Sequence, residues 1–273
     1  MPDAPYVAIL GGGVMGSTMV TGLRVAGWPQ DRITVADHNE ARAAALRQGH
    51  GVTVVTDVAE AVKGADVVLL AVKPQQMADV LEDIAGHLKE GVLVVTVAAA
   101  LPTSFYEARL PAGTPVVRTM PNTPSIVARG ATGVAGGANA EPSHLQLAAG
   151  MLRATGLVVM VDESQIDAVG AISGSGPAYI YAFVEALTEA GVAQGLDRIL
   201  ATQLAAQTLV GAAHLLTESG DTPQTLRRRV SSPRGTTLAA LDAMESAGLQ
   251  GVVSAGANAA VARTKEIAAE LGV

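Results

Sequence analysis

Val7-Ala8-Ile9-Leu10-Gly11-Gly12-Gly13-Val14-Met15-Gly16 decides the fold of the N-terminal half. Four apolar residues of strand length run into a turn that meets G-x-G-x-x-G through Gly11, Gly13 and Gly16, and residues 17–26 continue as a helix. A second apolar strand, Ile33-Thr34-Val35-Ala36, ends at Asp37, 21 residues beyond Gly16. The glycine pattern alone is weak. A strand before it, a helix after it and an acid at the end of the second strand make it a dinucleotide fingerprint. Gly11, Gly13, Val14, Met15 and Gly16 are then expected around a pyrophosphate, whose charge sits on the helix N-terminus. The bland alternative is a tight strand-to-helix turn without a ligand.

Asp37 bears on cofactor choice. A carboxylate there accepts hydrogen bonds from the ribose hydroxyls of NAD and repels the 2′-phosphate of NADP. Arg42, one turn into the next helix, offsets that repulsion in part, so the expectation is NADH or NADPH with NADH favoured. Asp37 as a plain helix N-cap is the competing reading.

Outward from this unit, strand and helix signals alternate. Strands are expected at 52–55, 66–72, 93–97, 116–119, 130–137 and 156–161, with helical segments at 59–63 and 77–87. Continuous apolar strands alternating with helices imply a parallel sheet covered on both faces. Loops at the carboxyl ends of those strands, including Lys73-Pro74, Ala98 to residue 100 and Pro121-Asn122, should line the cofactor crevice. Lys73 as a solvated charge is the alternative. Asp162-Glu163 marks the exit, giving a dinucleotide-binding domain of the Rossmann type over 1–163 and an all-helical domain over 164–273.

In that second half, Ser173-Gly174-Ser175-Gly176-Pro177 reads as a flexible turn with proline at the first helical position. The helix behind it carries Tyr179, Phe183, Ala186, Leu187 and Ala190 on one face and stops at Gly191. Residues 199–216 form a long helix, apolar most of the way round, which needs partners on several sides. A second copy of the chain is the expected cover. Thr222-Pro223 caps a short helix ending in Arg227-Arg228-Arg229, read as a solvated charge run. Val230-Ser231-Ser232-Pro233-Arg234-Gly235-Thr236-Thr237 then runs into a helix over 238–247. A polar turn entering a helix aims unpaired N–H groups at one spot and suits a small carboxylate or phosphate, an ordinary N-cap being the alternative.

Composition narrows the function classes. The 273 residues are 49% hydrophobic with 3% aromatics, so the core is built from Ala, Val, Leu and Ile. A net charge of −7 argues against non-specific nucleic-acid binding. Cysteine is absent, which removes disulfides, thiolate catalysis and cysteine zinc sites. The five histidines are scattered with no metal-binding spacing, and each is read as structural or surface. Met1-Pro2-Asp3-Ala4-Pro5-Tyr6 has no basic or apolar leader region, and no uninterrupted apolar run reaches membrane-span length. The expectation is a cytoplasmic chain with no membrane and no nucleic-acid partner.

Six stretches in order make the chain resemble the pyrroline-5-carboxylate reductases over nearly its whole length. They are Gly11 to Gly16, Ala71-Val72-Lys73-Pro74, Arg118-Thr119-Met120-Pro121-Asn122-Thr123-Pro124, Ser173-Gly174-Ser175-Gly176-Pro177-Ala178-Tyr179, Leu204-Ala205-Ala206-Gln207-Thr208 and Ser231-Ser232-Pro233-Arg234-Gly235-Thr236-Thr237. The resemblance implies a Rossmann-type domain followed by an all-α dimerisation domain through which two chains intertwine, often assembled further into rings. It implies reduction of Δ1-pyrroline-5-carboxylate to L-proline by NADH or NADPH, the last step of proline synthesis. It also implies that Ala71, Val72, Lys73 and Pro74 bind the cofactor, that Ser232, Gly235, Thr236 and Thr237 hold the substrate, and that Thr237 lies near the ring nitrogen as the catalytic candidate. Three departures stand out. Arg234-Gly235 replaces the usual Gly-Gly, Arg228 replaces a usual acid and Ala100 replaces a common glycine. Two rivals remain, another hydride-transfer enzyme on the same plan and a non-catalytic dinucleotide sensor that dimerises.

Overall fold

The computed structural model describes residues 4–273; Met1, Pro2 and Asp3, on which part of the leader reading rests, lie outside the described residues. The chain forms two compact units, one running to Ser175 and joined by residues 260–273, the other Gly176–Ala259.

The strands of the first unit are β1 (Val7–Leu10), β2 (Ile33–Ala36), β3 (Thr53–Val55), β4 (Val67–Leu70), β5 (Leu93–Thr96), β6 (Val116–Met120), β7 (Gly130–Gly136) and β8 (Gly156–Met160). They form one sheet in the order β3-β2-β1-β4-β5-β6-β7-β8. Order reverses at β1, which pairs in parallel with β2 on one side and β4 on the other, so a crevice opens beyond the carboxyl ends of β1 and β4. Every residue of β1, β2, β4 and β5 is buried. Alternation sends Val7 and Ile9 to one face and Ala8 and Leu10 to the other. On the first face they pack against α1 (Val14–Val25), α2 (Glu40–His50) and α6 (Pro142–Leu152) through Met19, Leu23, Leu46 and Met151. On the other they meet α3 (Val58–Val62), α4 (Met77–Ala85) and α5 (Thr103–Glu107) through Val62, Leu81, Ile84 and Tyr106. The helices α5 and α6 have no counterpart in the sequence reading.

The expected all-parallel sheet is corrected at its far edge. β7 runs antiparallel to β6, and β8 runs parallel to β7. The reason is connection length. Only residues 121–129 link β6 to β7, too few for a crossover, whereas α6 supplies one between β7 and β8.

The expected flexible turn at 173–177 is also corrected. α7 (Ile166–Val169) passes through a π-helical turn at Gly170–Gly174 and then into α8 (Gly176–Ala193), in which Pro177 is the second residue. The glycines serve close packing. A Cβ on Gly174 would lie 2.7 Å from Met120 Cε. Asn122 Nδ2 donates to the Ser173 carbonyl at 2.9 Å, tying the turn to the sheet. Buried Arg118 donates to Asp167 Oδ1 at 2.8 Å and fixes the start of the same helix.

The second unit contains α8, α9 (Arg198–Glu218), α10 (Pro223–Arg229), α11 (Thr236–Ser246) and the first half of α12 (Leu249–Glu270). Small residues bring α8 and α9 together: a Cβ on Gly191 would lie 3.0 Å from that of Ala201. Thr188, Ala201 and Ala205 are buried there, while Ile180, Phe183, Leu187, Leu204, Val210 and Leu215 remain exposed. α9 is by length and composition apolar enough to cross a membrane, although Gln203, Gln207 and neighbouring threonines interrupt its apolar run.

Candidate functional site

The backbone at the end of β1 is set before any side chain matters. Gly11 N donates to the Ala36 carbonyl at 2.9 Å, and Ala71 N donates to that of Leu10 at 2.8 Å, so the glycine turn sits between the ends of β2 and β4. Gly11 has φ +102°, and a Cβ there would meet the Ala71 carbonyl oxygen at 2.8 Å. Gly16 packs so closely that a Cβ would overlap the Gly11 carbonyl oxygen. A Cβ on Gly13, by contrast, would meet nothing within 4 Å. Gly13 is the N-cap of α1 and offers no side-chain bond, so the first-turn N–H groups of Val14, Met15 and Gly16 lack intrahelical partners. An open space faced by free amides and the positive end of a helix dipole fits a pyrophosphate.

This space belongs to a cleft of ≈ 240 Å³. Gly11, Gly13, Asp37, Ala71, Val72 and Lys73 line it, as do Ala36, His38, Arg42, Thr56, Val58, Gln76 and Val80. Of the sequence-expected cofactor residues, Val14, Met15, Gly16, Pro74, Ala98 and Asn122 are not in that lining. Gly16 is buried under the turn and shapes it. Ala98 is buried, and its N–H donates to Thr96 Oγ1 at 3.2 Å. Asn122 spends its amide inside the protein, donating to Ser173 and accepting from Ala131 N at 2.9 Å. Sequence reasoning passed over His38, Thr56 and Gln76. His38 and Thr56 directly follow or adjoin the ends of β2 and β3, where the carboxyl-end rule places ligand residues.

Asp37 is the cleft's electrostatic centre. Its side chain is 2% exposed and its N–H donates to the Val55 carbonyl at 3.0 Å. Oδ2 accepts from Gly12 N at 2.9 Å and from Arg42 Nε at 2.9 Å; Oδ1 accepts from Asn39 N at 2.7 Å and from Arg42 Nη2 at 2.8 Å. Burial pushes the carboxyl up, but the Arg42 fork and the Asn39 and Gly12 amides together hold it below the ordinary carboxylate range. Asn39, not Asp37, caps α2, its side chain accepting from Arg42 N at 3.0 Å.

The second candidate site lies in the helical unit. Gly235 is the N-cap of α11 with no side-chain cap bond, so the amides of Thr236, Thr237 and Leu238 lack intrahelical partners. The turn closes through Gly235 N, which donates to the Ser232 carbonyl at 2.9 Å. A Cβ on Gly235 would overlap Ser232 Oγ. Arg234 keeps the left-handed path of the turn with φ +60°, and Ala100 does the same at +71°. Of the three arginines of α10, Arg229 pairs with Asp221. Ser231 Oγ donates to the Arg227 carbonyl at 2.7 Å and is spent there, which leaves Ser232, Thr236 and Thr237 as the hydroxyls of the turn. Among the described residues, no group of three or more His, Asp or Glu is placed to hold a metal ion.

Comparison with known proteins covers both units. Residues 163–267 match the family model described as pyrroline-5-carboxylate reductase dimerisation, and residues 6–100 match that of the coenzyme F420-dependent NADP oxidoreductases. The pyrroline-5-carboxylate reductase of Pseudomonas aeruginosa is 41% identical over 99% of each chain. That of Methanosarcina acetivorans is 40% identical over 96% of this chain and 97% of its own. The solved reductase of Coxiella burnetii superposes with a TM-score of 0.92 at 38% identity, over 97% of this chain and 98% of that one. The Plasmodium falciparum enzyme, solved with NADP bound, gives 0.85 at 25% identity over 97% and 99%.

Proposed function

The chain belongs to the pyrroline-5-carboxylate reductase family, and on that premise we propose how its own residues carry the reaction. It is an oxidoreductase with a nicotinamide dinucleotide cofactor and a small-molecule substrate, reducing the C=N bond of Δ1-pyrroline-5-carboxylate to give L-proline. When bound, the nicotinamide supplies the hydride that reaches the imine carbon.

The chemistry asks mainly for positioning and electrostatics. The protonated imine is already electrophilic, and its N–H donates to Thr237 Oγ1, which holds the nitrogen and its proton in place while the C=N double bond becomes a C–N single bond. The substrate carboxylate rests on the uncapped amides of Thr236 and Thr237 with the Ser232 hydroxyl, and Gly235 keeps that approach open. Gly13, Val14 and Met15 amides cradle the pyrophosphate, with Gly11 and Gly16 shaping the turn. Ala71, Val72, Lys73 and Pro74 follow the dinucleotide along the crevice, and Ala98 and Asn122 support the loops at its far end. Asp37 faces the adenosine ribose and favours NADH over NADPH.

The uncapped start of α11 carries this reading: a polar turn holds three amides without partners, beside hydroxyls of the right type. Thr237→Ala tests it. Removing a bond to a charged nitrogen costs about 1.5–3 kcal/mol, so kcat/KM should fall about 10–100-fold. Unchanged kcat/KM would take Thr237 out of the site.

The dimerisation domain is present in this chain, and the partner we propose is a second copy. The apolar faces of α8 and α9 support this, since the matched dimerisation region spans both and would bury them. On the same ground α9 is read as an interface helix, without a membrane, and further assembly into a ring follows the family pattern. A cysteine-free biosynthetic enzyme fits the cytoplasm.

A further inference from the structure

Asp37 has no acceptor position left. A carboxylate oxygen offers two lone pairs, and here each oxygen already takes two N–H donors. Two of those donors are backbone amides fixed by the glycine turn and by the start of α2. The other two belong to Arg42, whose side chain is 45% exposed and whose head is held by Asp37. A ribose offering its 2′- and 3′-hydroxyls to Asp37 must therefore displace the Arg42 fork. A ribose carrying a 2′-phosphate need not. With the fork closed, the carboxylate charge is neutralised by its partner, and the guanidinium still has three of its five N–H donors free for phosphate oxygens. Lys73 and His38 line the same cleft and add to the favourable surroundings for an anion.

We infer that Arg42 is the specificity-determining residue at the ribose 2′ position: it competes with NADH for Asp37 and serves NADPH by remaining on it. The preference that Asp37 would impose alone is thereby made shallow, and the chain accepts both cofactors. The inference rests on the reading of the cleft as the dinucleotide site and concerns how one arginine divides it between two ligands.

The test is calorimetric titration of NAD⁺ and NADP⁺, without substrate, into the wild type, Arg42→Ala and Arg42→Lys. The expected result for Arg42→Ala is NADP⁺ weakened more than tenfold while NAD⁺ binds as well as before or several-fold tighter. Lysine keeps the charge without the fork, so Arg42→Lys should fall between the two. It also reports on folding, because a properly folded variant must still bind NAD⁺. Equal weakening of both ligands in Arg42→Ala, or no change in their ratio, overturns the inference while leaving the cleft as the cofactor site. Failure of both ligands to bind the wild type overturns the cleft reading and the inference with it.

Discussion

At Arg234 and Ala100 the chain places side chains in left-handed backbone conformations that glycine adopts without steric cost. Each keeps the loop path at a penalty on the order of 1 kcal/mol. Sequence alone flagged both positions as departures and left the path of the turn open; whether the backbone bends away or accepts strain depends on the surrounding contacts. Gly235 is different, because space rather than φ forbids a side chain. Its Cβ would overlap Ser232 Oγ and lie 3.0 Å from the Ser232 carbonyl oxygen. Gly235→Ala must open the turn, and KM for pyrroline-5-carboxylate is expected to rise roughly tenfold or more, about 1.4 kcal/mol. Binding of NADH should be unchanged, since its cleft is built from other residues. An unaltered KM would show that the turn does not hold the carboxylate. Asp37 shows the other limit of residue-level reading. Its place at the end of β2 was legible, but the four donors that saturate it were not, because they come from a turn, a cap and a side chain one helical turn away.

Elements with a strong apolar period were legible: β1, β2, β4, β5 and the glycine turn follow directly from buried runs bounded by turn residues. Elements defined by tertiary context were not. α5, Thr103–Glu107, is five residues long and follows a proline, too short for any period to show. The reversal at β7 depends on connection length, and the π-helical turn at Gly170–Gly174 depends on Met120 lying against its glycines. In α5, Tyr106 is fully buried with its hydroxyl 2.9 Å from Thr96 Oγ1. Burial pushes its phenol up to about 12, against smaller opposing effects of Thr96 and Arg118. The unfolded phenol ionises first, near its ordinary value of 10.0, so the folded state is favoured below that pH and loses this contribution as pH rises toward 12. Denaturant melts should therefore show stability falling by about 1 kcal/mol between pH 10 and 11 from this group. Tyr106→Phe, at a cost of about 1 kcal/mol at neutral pH, should remove that part of the slope. The same slope in both proteins would contradict the assignment.

At the scale of the molecule, the helical unit leaves large apolar residues uncovered, and that exposure was legible from α9 alone because its sequence has no polar face. Leu204, 51% exposed, lies on the surface we propose the second copy covers. Leu204→Glu should convert the dimer to monomer in sedimentation equilibrium while leaving the sheet unit folded; a dimer as tight as the wild type would place the interface elsewhere. We propose a division of labour in which the glycine turn and Asp37 serve the dinucleotide and the Ser232 to Thr237 turn serves the imino acid. It is tested most directly by initial rates of pyrroline-5-carboxylate reduction by the purified protein, with NADH and NADPH in parallel. The account predicts turnover with both cofactors and a modestly higher kcat/KM with NADH. Cofactor binding without turnover by either would contradict it.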